Sequence, residues 1–464
     1  MSKEDCLKKI TIIGAGLVGL LLGILLGKRG YSVQIYENKD QKHTFAKLGK
    51  SINLTLCKRG INALKKAGII DEVQKLWVPV YGGCLHLNES QIETQLYGNY
   101  GEALYSISRQ ELNTLLLSIA QKTSGVSIIF GMKCVGYDLS KSTIFLIDKN
   151  QHKTELPFNT LIAADGIYSA IRSQMQRSFG FNYSQFYSKH VNKELTIPTE
   201  NAKKYKLKQN YIHIWPRNES MIIAFPNSND SFTCTLQLPV NGSSISFKKL
   251  NSESEMFYYF KKLFPDAIAL IPKLAEEFFQ NPEIPMMTVR CSPWHIKDKV
   301  LLIGDSAHGV WPSYGQGANA GFEDCEILIK CMEQYPDNLL ASFVEFQEKR
   351  KANLDTIADL SETHFNEIRH LVADPNFLLR KRIERKMNLL FPSEYFSLYS
   401  RIAFTIIPYK QAVKLESFYC KIIDELLESQ EIISDPDSNE SEKLIYKIYK
   451  KYLANNPIRY HKDH

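Results

Sequence analysis

Missing from this sequence is any pair of cysteines close enough to clasp zinc or to cycle as a dithiol. The nine cysteines, Cys6, Cys57, Cys84, Cys134, Cys234, Cys291, Cys325, Cys331 and Cys420, are scattered and odd in number, so they read as reduced thiols of a cytoplasmic protein. Long apolar runs are missing too. The longest, Leu17 to Leu26, falls short of the roughly 20 residues that span a bilayer, and no basic start or small-residue cleavage site makes it a signal peptide. The tail after Gln411 reads as polar helix broken at Ser434-Asp435-Pro436-Asp437, so no membrane anchor is expected. Lys and Arg exceed Asp and Glu by 57 − 50 = 7, but the charges interleave, and no basic tract laced with aromatics marks a nucleic-acid partner. The one dense basic group, Arg380, Lys381, Arg382, Arg385 and Lys386, is expected on a solvated helix face. Neither an internal repeat, nor a Ser/His/Asp arrangement, nor a metal-binding cluster is visible.

What remains is a chain of 464 residues, 44% hydrophobic and 23% charged, enough for two or three folded domains. It opens with a βαβ pattern: strand-like Lys9 to Ile13, a glycine turn, a helix from Leu17 to Arg29 and a second strand from Ser32 to Tyr36. Helical periodicity returns at Arg59 to Ala67 and Arg109 to Gln121, with strands at Ile144 to Ile147 and Thr160 to Ala163. From about 182 to 287 short alternating runs such as Tyr211 to Trp215 and Thr233 to Leu238, separated by turns at Pro226 to Asn229 and Asn241-Gly242, predict an inserted antiparallel sheet. Lys299 to Ile303 returns to a buried strand, and helical patterning dominates from Gly321 onward.

Three motifs carry chemistry. Gly14-Ala15-Gly16-Leu17-Val18-Gly19 joins strand to helix and presents backbone N–H groups at a helix N-terminus, the arrangement that binds a pyrophosphate. Glu37, at the end of the second strand, is placed to accept hydrogen bonds from a ribose. Asp165-Gly166 follows one apolar strand, and Gly304-Asp305 follows another and leads to His308, Pro312 and the glycine-rich Gly315 to Gly321. An aspartate in such a turn is more often a helix cap than a ligand, and Asp165 alone would read that way. His308 is expected to hold its turn rather than to move protons.

Together and in this order the three motifs resemble those of the class A flavoprotein aromatic hydroxylases, over residues 9 to about 330. The resemblance implies an α/β fold: a Rossmann-type FAD-binding domain (1–70, 101–181 and 288–340), an inserted β-sheet substrate domain (71–100 and 182–287) and a C-terminal helical region (341–464). It also implies cofactor contacts from Gly14, Gly16, Gly19, Glu37, Asn53, Arg109, Asp165, Asp305, Gly317, Ala318 and Asn319. A narrower resemblance, to the kynurenine 3-monooxygenases, rests on Gly49 to Leu54, Tyr314 to Cys325, Glu367-Ile368-Arg369 and Pro392 to Pro408. It implies an FAD-dependent monooxygenase that uses NAD(P)H and molecular oxygen to hydroxylate a small aromatic substrate through a flavin hydroperoxide, with no second phosphate loop for the nicotinamide.

The substrate pocket departs from that family's pattern. Tyr97 and Tyr399 match its substrate tyrosines, but Gly83 stands where its carboxylate-binding arginine does, His364 replaces an asparagine, and the aromatic pair after Pro312 is reduced to Ser313 and Tyr314. Either another basic group, such as His364, anchors a carboxylate, or the substrate is an aromatic compound without one. A flavin-binding redox module and a nicotinamide dehydrogenase are the other readings, the latter opposed by Asp165-Gly166 and Gly304-Asp305.

Overall fold

Five parallel strands and one antiparallel edge strand form the first sheet, in the order His295–Ile296, Val300–Leu302, Thr160–Ala163, Lys9–Ile13, Ser32–Tyr36 and Val126–Ile129. The structure is a computed structural model that describes residues 9–40, 53–88, 91–98, 101–242, 245–368 and 374–455. Cys6, Gly49 to Ile52 and Arg369 lie outside the described residues. A parallel sheet is covered on both faces, so its strands read as continuous apolar runs. The helix Leu17–Gly27 is likewise buried nearly all round, held among the sheet and the helices Arg109–Lys122 and Gly317–Gln334. That is why its sequence shows no amphipathic stripe.

The register of this sheet places the motifs. Ile13 lies beside Ala163, and Ala163 beside Leu302, so Gly14, Asp165 and Asp305 emerge together from the carboxyl ends of three neighbouring parallel strands. Ligands of open α/β sheets bind at such an edge.

An eight-stranded sheet stands beside it, in the order His308–Gly309, Ile284–Ser292, Asn182–Ile197, Phe232–Pro239, Ser220–Pro226, Tyr211–Arg217, Gly82–His86 and Ile92–Leu96. The expectation of a purely antiparallel insertion needs two corrections. Gly82–His86 pairs in parallel with Tyr211–Arg217, because the two strands come from distant parts of the chain rather than from one hairpin. Residues 253–280 are helical, in the segments Glu253–Leu263, Pro265–Ile268 and Leu274–Gln280. The first is started by a capping box between Ser252 and Glu255, and Met256, Tyr259 and Phe260 pack with Trp215, Phe232 and Leu236 in a second core. Val78–Val80 pairs with Leu104–Ile107 in a small separate sheet.

After Asn338 the described residues are mostly helical. Leu339–Asn366 packs on Gly317–Gln334, and the helices Pro375–Leu390, Tyr409–Leu427 and Asn439–Asn455 share a core of Ile383, Met387, Phe391, Tyr419, Ile422 and Tyr449. Among the described residues no helix is long and apolar enough to cross a membrane, and no cluster of metal-ligating side chains occurs.

Candidate cofactor and substrate site

Gly14 adopts φ +102°, and a Cβ there would lie 2.4 Å from the Ala164 carbonyl oxygen, so only glycine lets the first strand turn this close to its neighbour. Gly16 is the opposite case: a Cβ on it would meet nothing within 4 Å, which leaves an open cradle over the first turn of the 17–27 helix. The Cβ of a residue at 19 would lie 2.0 Å from the Gly14 carbonyl oxygen. Glu37 stands beside this turn, its carboxylate accepting from Ala15 N–H at 2.8 Å and Lys39 N–H at 2.9 Å.

The two aspartates differ. Asp165 caps the helix Ala170–Met175, accepting from Ala170 N–H at 2.9 Å and Ile171 N–H at 3.4 Å, and burial raises its pKa. Its Oδ1 is buried without a protein partner. Asp305 is half-buried in a 3-10 turn, and no described protein group hydrogen-bonds its carboxylate. A carboxylate left with this acceptor capacity suits hydroxyl donors. Arg172, which the sequence motif contains but which drew no assignment, braces the two turns by donating to Ser306 O at 2.8 Å and to Ile167 O.

Gly317, Ala318 and Asn319 form the first turn of the 317–334 helix, so their N–H groups have no intrahelical acceptors and mark the positive end of an 18-residue helix. The Asn319 side chain points its bonds elsewhere: Oδ1 accepts from Cys57 N–H at 2.9 Å, and Nδ2 donates to Thr55 O at 2.7 Å and Gly315 O at 2.8 Å. It fixes this helix end against the start of Lys58–Lys66, leaving the backbone for a ligand. Asn53 is similarly engaged, its amide donating to Asn227 Oδ1 at 2.7 Å and Ser106 Oγ at 3.2 Å. Arg109 is exposed at the start of its helix, beside the cap Ser108. The open cradle at Gly16, the acceptor at Asp305 and the amides of 317–319 fit FAD, whose pyrophosphate, polyol and ring carbonyl oxygens need these partners in turn.

His308 holds its turn. Its Nε2 lies 2.5 Å from Asp324 Oδ2, which also accepts Gly304 N–H at 3.2 Å, while Asp324 Oδ1 takes Arg350 Nε at 2.7 Å. Burial alone would raise the Asp324 carboxyl, but His308 and Arg350 outweigh it and hold the pKa below the usual aspartate value. Arg350 also bonds Glu323, and Glu323 reaches Arg59 at 2.7 Å. Sequence reasoning assigned none of Asp324, Glu323, Arg350 or Arg59. The acids lie in the recognised stretch Phe322 to Cys325, but neither arginine has a local signal.

The residues expected at the substrate converge. The Tyr97 and Tyr399 rings are 5.3 Å apart, Tyr399 and Tyr314 5.6 Å, and Tyr314 and His364 4.5 Å. A Cβ at Gly83 would lie 3.5 Å from the Tyr97 hydroxyl, in ordinary contact. Apolar walls complete the cluster, including Leu85, Ile214, Met221, Trp311 and Phe365. Burial pushes the phenols of Tyr97, Tyr314 and Tyr399 up, so they stay neutral donors at any working pH. His364 does not stand alone as a base: its Nδ1 lies 3.2 Å from Glu367 Oε2. The aromatic cluster adjoins the cofactor end through Gln316, whose amide donates to Tyr314 O at 3.4 Å and accepts from Tyr409 Oη at 2.9 Å.

Residues 8–337 match the family described as "FAD binding domain". "Kynurenine 3-monooxygenase" of Christiangramia forsetii is 39% identical over 97% of this chain and 100% of its own length. The proteins of that name from Legionella pneumophila (strain Corby) and Dictyostelium discoideum are 37% and 38% identical, over 97% and 96% of this chain and 99% and 98% of theirs. Among solved structures, the tetrameric form of 2-methyl-3-hydroxypyridine-5-carboxylic acid oxygenase superposes with a TM-score of 0.64 at 20% identity, covering 80% of this chain and 95% of that one. Klebsiella pneumoniae HpxO complexed with FAD and uric acid gives 0.63 at 18% identity, covering 80% and 90%. These two similarities concern the fold.

Proposed function

Because this chain belongs to the kynurenine 3-monooxygenase family of FAD-dependent aromatic monooxygenases, we propose that it hydroxylates an aminophenyl ketone ring of the kind kynurenine carries. The observation that carries this reading is the junction at Gln316. There an apolar cluster built around the packed rings of Tyr97, Tyr314 and Tyr399 meets the helix end that suits a flavin. The chemistry that bound FAD supplies is acceptance of a hydride from NAD(P)H and activation of oxygen, so that one oxygen atom enters the ring and the other leaves as water.

The chain's own residues position and exclude. Gly14, Gly16 and Gly19, with Glu37, would hold the pyrophosphate and ribose end, and Asp305 the polyol. The amides of Gly317, Ala318 and Asn319 would face the electron-rich edge of the reduced ring, where a helix N-terminus favours negative charge. Asp165 would act through its helix and its unpaired oxygen, and Arg109 from the rim. Leu85, Ile214, Met221 and Phe365 keep the reacting ring away from water, which protects an oxygen-transfer step from discharge as peroxide. The neutral phenols of Tyr97 and Tyr399 can donate to the substrate's polar tail without adding charge. A cytoplasmic setting belongs to this proposal and is supported by the eight described cysteines, none of them bridged.

The test is NADH and NADPH oxidation by the FAD-loaded protein, with and without L-kynurenine and its decarboxylated analogue kynuramine, followed by mass spectrometry. Stimulated oxidation with a product one oxygen heavier is the expected result. Oxidation that neither compound stimulates, with peroxide as the only product, would refute the ring assignment.

A further inference from the structure

The eight-stranded sheet ends on one side in His308–Gly309, which is short and buried, and on the other in Ile92–Leu96, which is neither. Ile92 is 57% and Leu96 52% exposed on this outer strand. Natural edge strands are guarded by proline, lysine, a bulge or a covering segment, because their free backbone groups invite another strand. The strand Ile92-Glu93-Thr94-Gln95-Leu96 contains neither proline nor lysine, and its register with Gly82–His86 runs without a shift. Leu87 N–H donates to Gln91 O at 3.0 Å and Tyr97 N–H to Tyr81 O at 2.9 Å. With the pairing continuous between these bonds, Glu93 and Gln95 bond inward, and Ile92, Thr94 and Leu96 turn their N–H and C=O groups to the outside. Among the described residues no backbone group bonds them there. The edge is held firmly from within: Gly82–His86 is buried throughout, and His86 stacks on Trp215 at 4.1 Å and shares a 2.9 Å hydrogen bond with His213.

We infer that two copies of this chain associate along this edge, each Ile92–Leu96 strand pairing antiparallel with the other about a two-fold axis at Thr94. In that register the sequence is complementary to itself. Ile92 faces the partner's Leu96, Glu93 faces the partner's Gln95 and accepts from its amide, and Thr94 faces the partner's Thr94. All three outward residues then fall in hydrogen-bonded pairs, and Ile92 and Leu96 cover each other on one face of the joined sheet. An axis at Glu93 would set two carboxylates directly opposite, which is destabilising, and an axis at Gln95 would leave Ile92 facing the partner's Gly98. The contact is the same patch on both copies, so it closes at two and consumes the edge, and the buried strand His308–Gly309 offers no second edge for growth.

The experiment is sedimentation velocity of the FAD-loaded protein from 0.1 to 50 μM. A species of twice the chain mass is expected. It should tighten as salt rises from 0.02 to 0.3 M, because each Lys208 donates to Thr94 Oγ1 at 3.1 Å and two such ammoniums meet near the axis, where salt screens them. Thr94→Pro removes an outward N–H without touching the inner ladder, and should weaken the dimer at least tenfold while leaving the FAD content unchanged. Thr94→Cys sets two thiols across the axis, where paired Cα atoms lie about 5.5 Å apart, and should cross-link under mild oxidation, whereas Gln91→Cys, well off the axis, should not. A wild-type chain that stays monomeric at 50 μM, which needs no variant to fold, overturns the inference. So does a dimer that salt weakens, that a folded Thr94→Pro leaves as tight, or that Gln91→Cys cross-links as readily as Thr94→Cys.

Discussion

Asp165 and Asp305 show how two aspartates at equivalent strand ends come to differ. One caps a helix with its Oδ2, and the other keeps a half-buried carboxylate without a described protein partner. Hydrogen bonds to a charged acceptor contribute about 1.5–3 kcal/mol, so Asp305→Ala should weaken FAD at least tenfold and yield protein purified largely colourless. Absorbance at 450 nm against 280 nm reads the occupancy, and full occupancy in that variant would refute the assignment. Asp324, in the Gly317–Gln334 helix, bonds back to the turn that carries Asp305, but its role is internal. Asp324→Asn leaves Arg350 short of a buried counter-charge and should cost about 3–5 kcal/mol at pH 7. Its folded pKa lies below the unfolded one, so the contribution is complete above about pH 4 and is lost as pH falls through the folded value. The gap between variant and wild type in urea midpoints should therefore narrow below about pH 4, and a constant gap down to pH 2 would contradict the ion-pair account.

The elements differ in how plainly the sequence announces them. The opening strand, turn and helix were legible because period, glycine spacing and a following strand all agree, and Leu17–Gly27 begins at the residue expected. The helices between 253 and 280 were not, although Ser252 and Glu255 form a capping box and Met256, Tyr259 and Phe260 share a face. Aromatic residues fit strand and helix alike over so short a span, and the alternating strands upstream bias the reading. Tyr97, Tyr399 and Gly83 could be singled out only through the family resemblance, since nothing local ties residue 83 to 399. The basic helix Pro375–Leu390 shows what a charge run becomes after folding. Arg380 pairs with Asp424, Lys381 with Glu384, Arg382 with Asp435 and Asp437, and Lys386 with Glu442. With four of its five cations paired within the C-terminal region, this face should not recruit an acidic surface. The protein should stay in the supernatant when phosphatidylserine vesicles are sedimented in 0.15 M salt, and co-sedimentation would contradict the pairing.

At the scale of the whole molecule, the C-terminal helices are tied into the helices Lys58–Lys66 and Gly317–Gln334 rather than appended to them. Arg59 is 1% exposed; it pairs with Glu323, donates to the Ile407 carbonyl oxygen and lies 4.0 Å over the Tyr409 ring. Tyr409 in turn reaches Gln316, one residue before the helix end proposed to face the flavin. The Arg59 contacts join residues more than 250 positions apart in the chain, so no local pattern could have revealed them. They couple three layers: the helix Lys58–Lys66, the helix Gly317–Gln334 and the C-terminal bundle. A chain ending at Ile406 would strip Arg59 of a carbonyl and a ring while leaving its charge buried, a loss of several kcal/mol before the core shared by Met387, Tyr419 and Ile422 is counted. Such a truncation should lose flavin and cooperative unfolding together. The milder Tyr409→Phe keeps the ring over Arg59, removes only the bond to Gln316 and should cost about 1 kcal/mol. If the truncated chain instead bound FAD and melted at the wild-type temperature, the bundle would be an independent domain and the Arg59 contacts would be incidental.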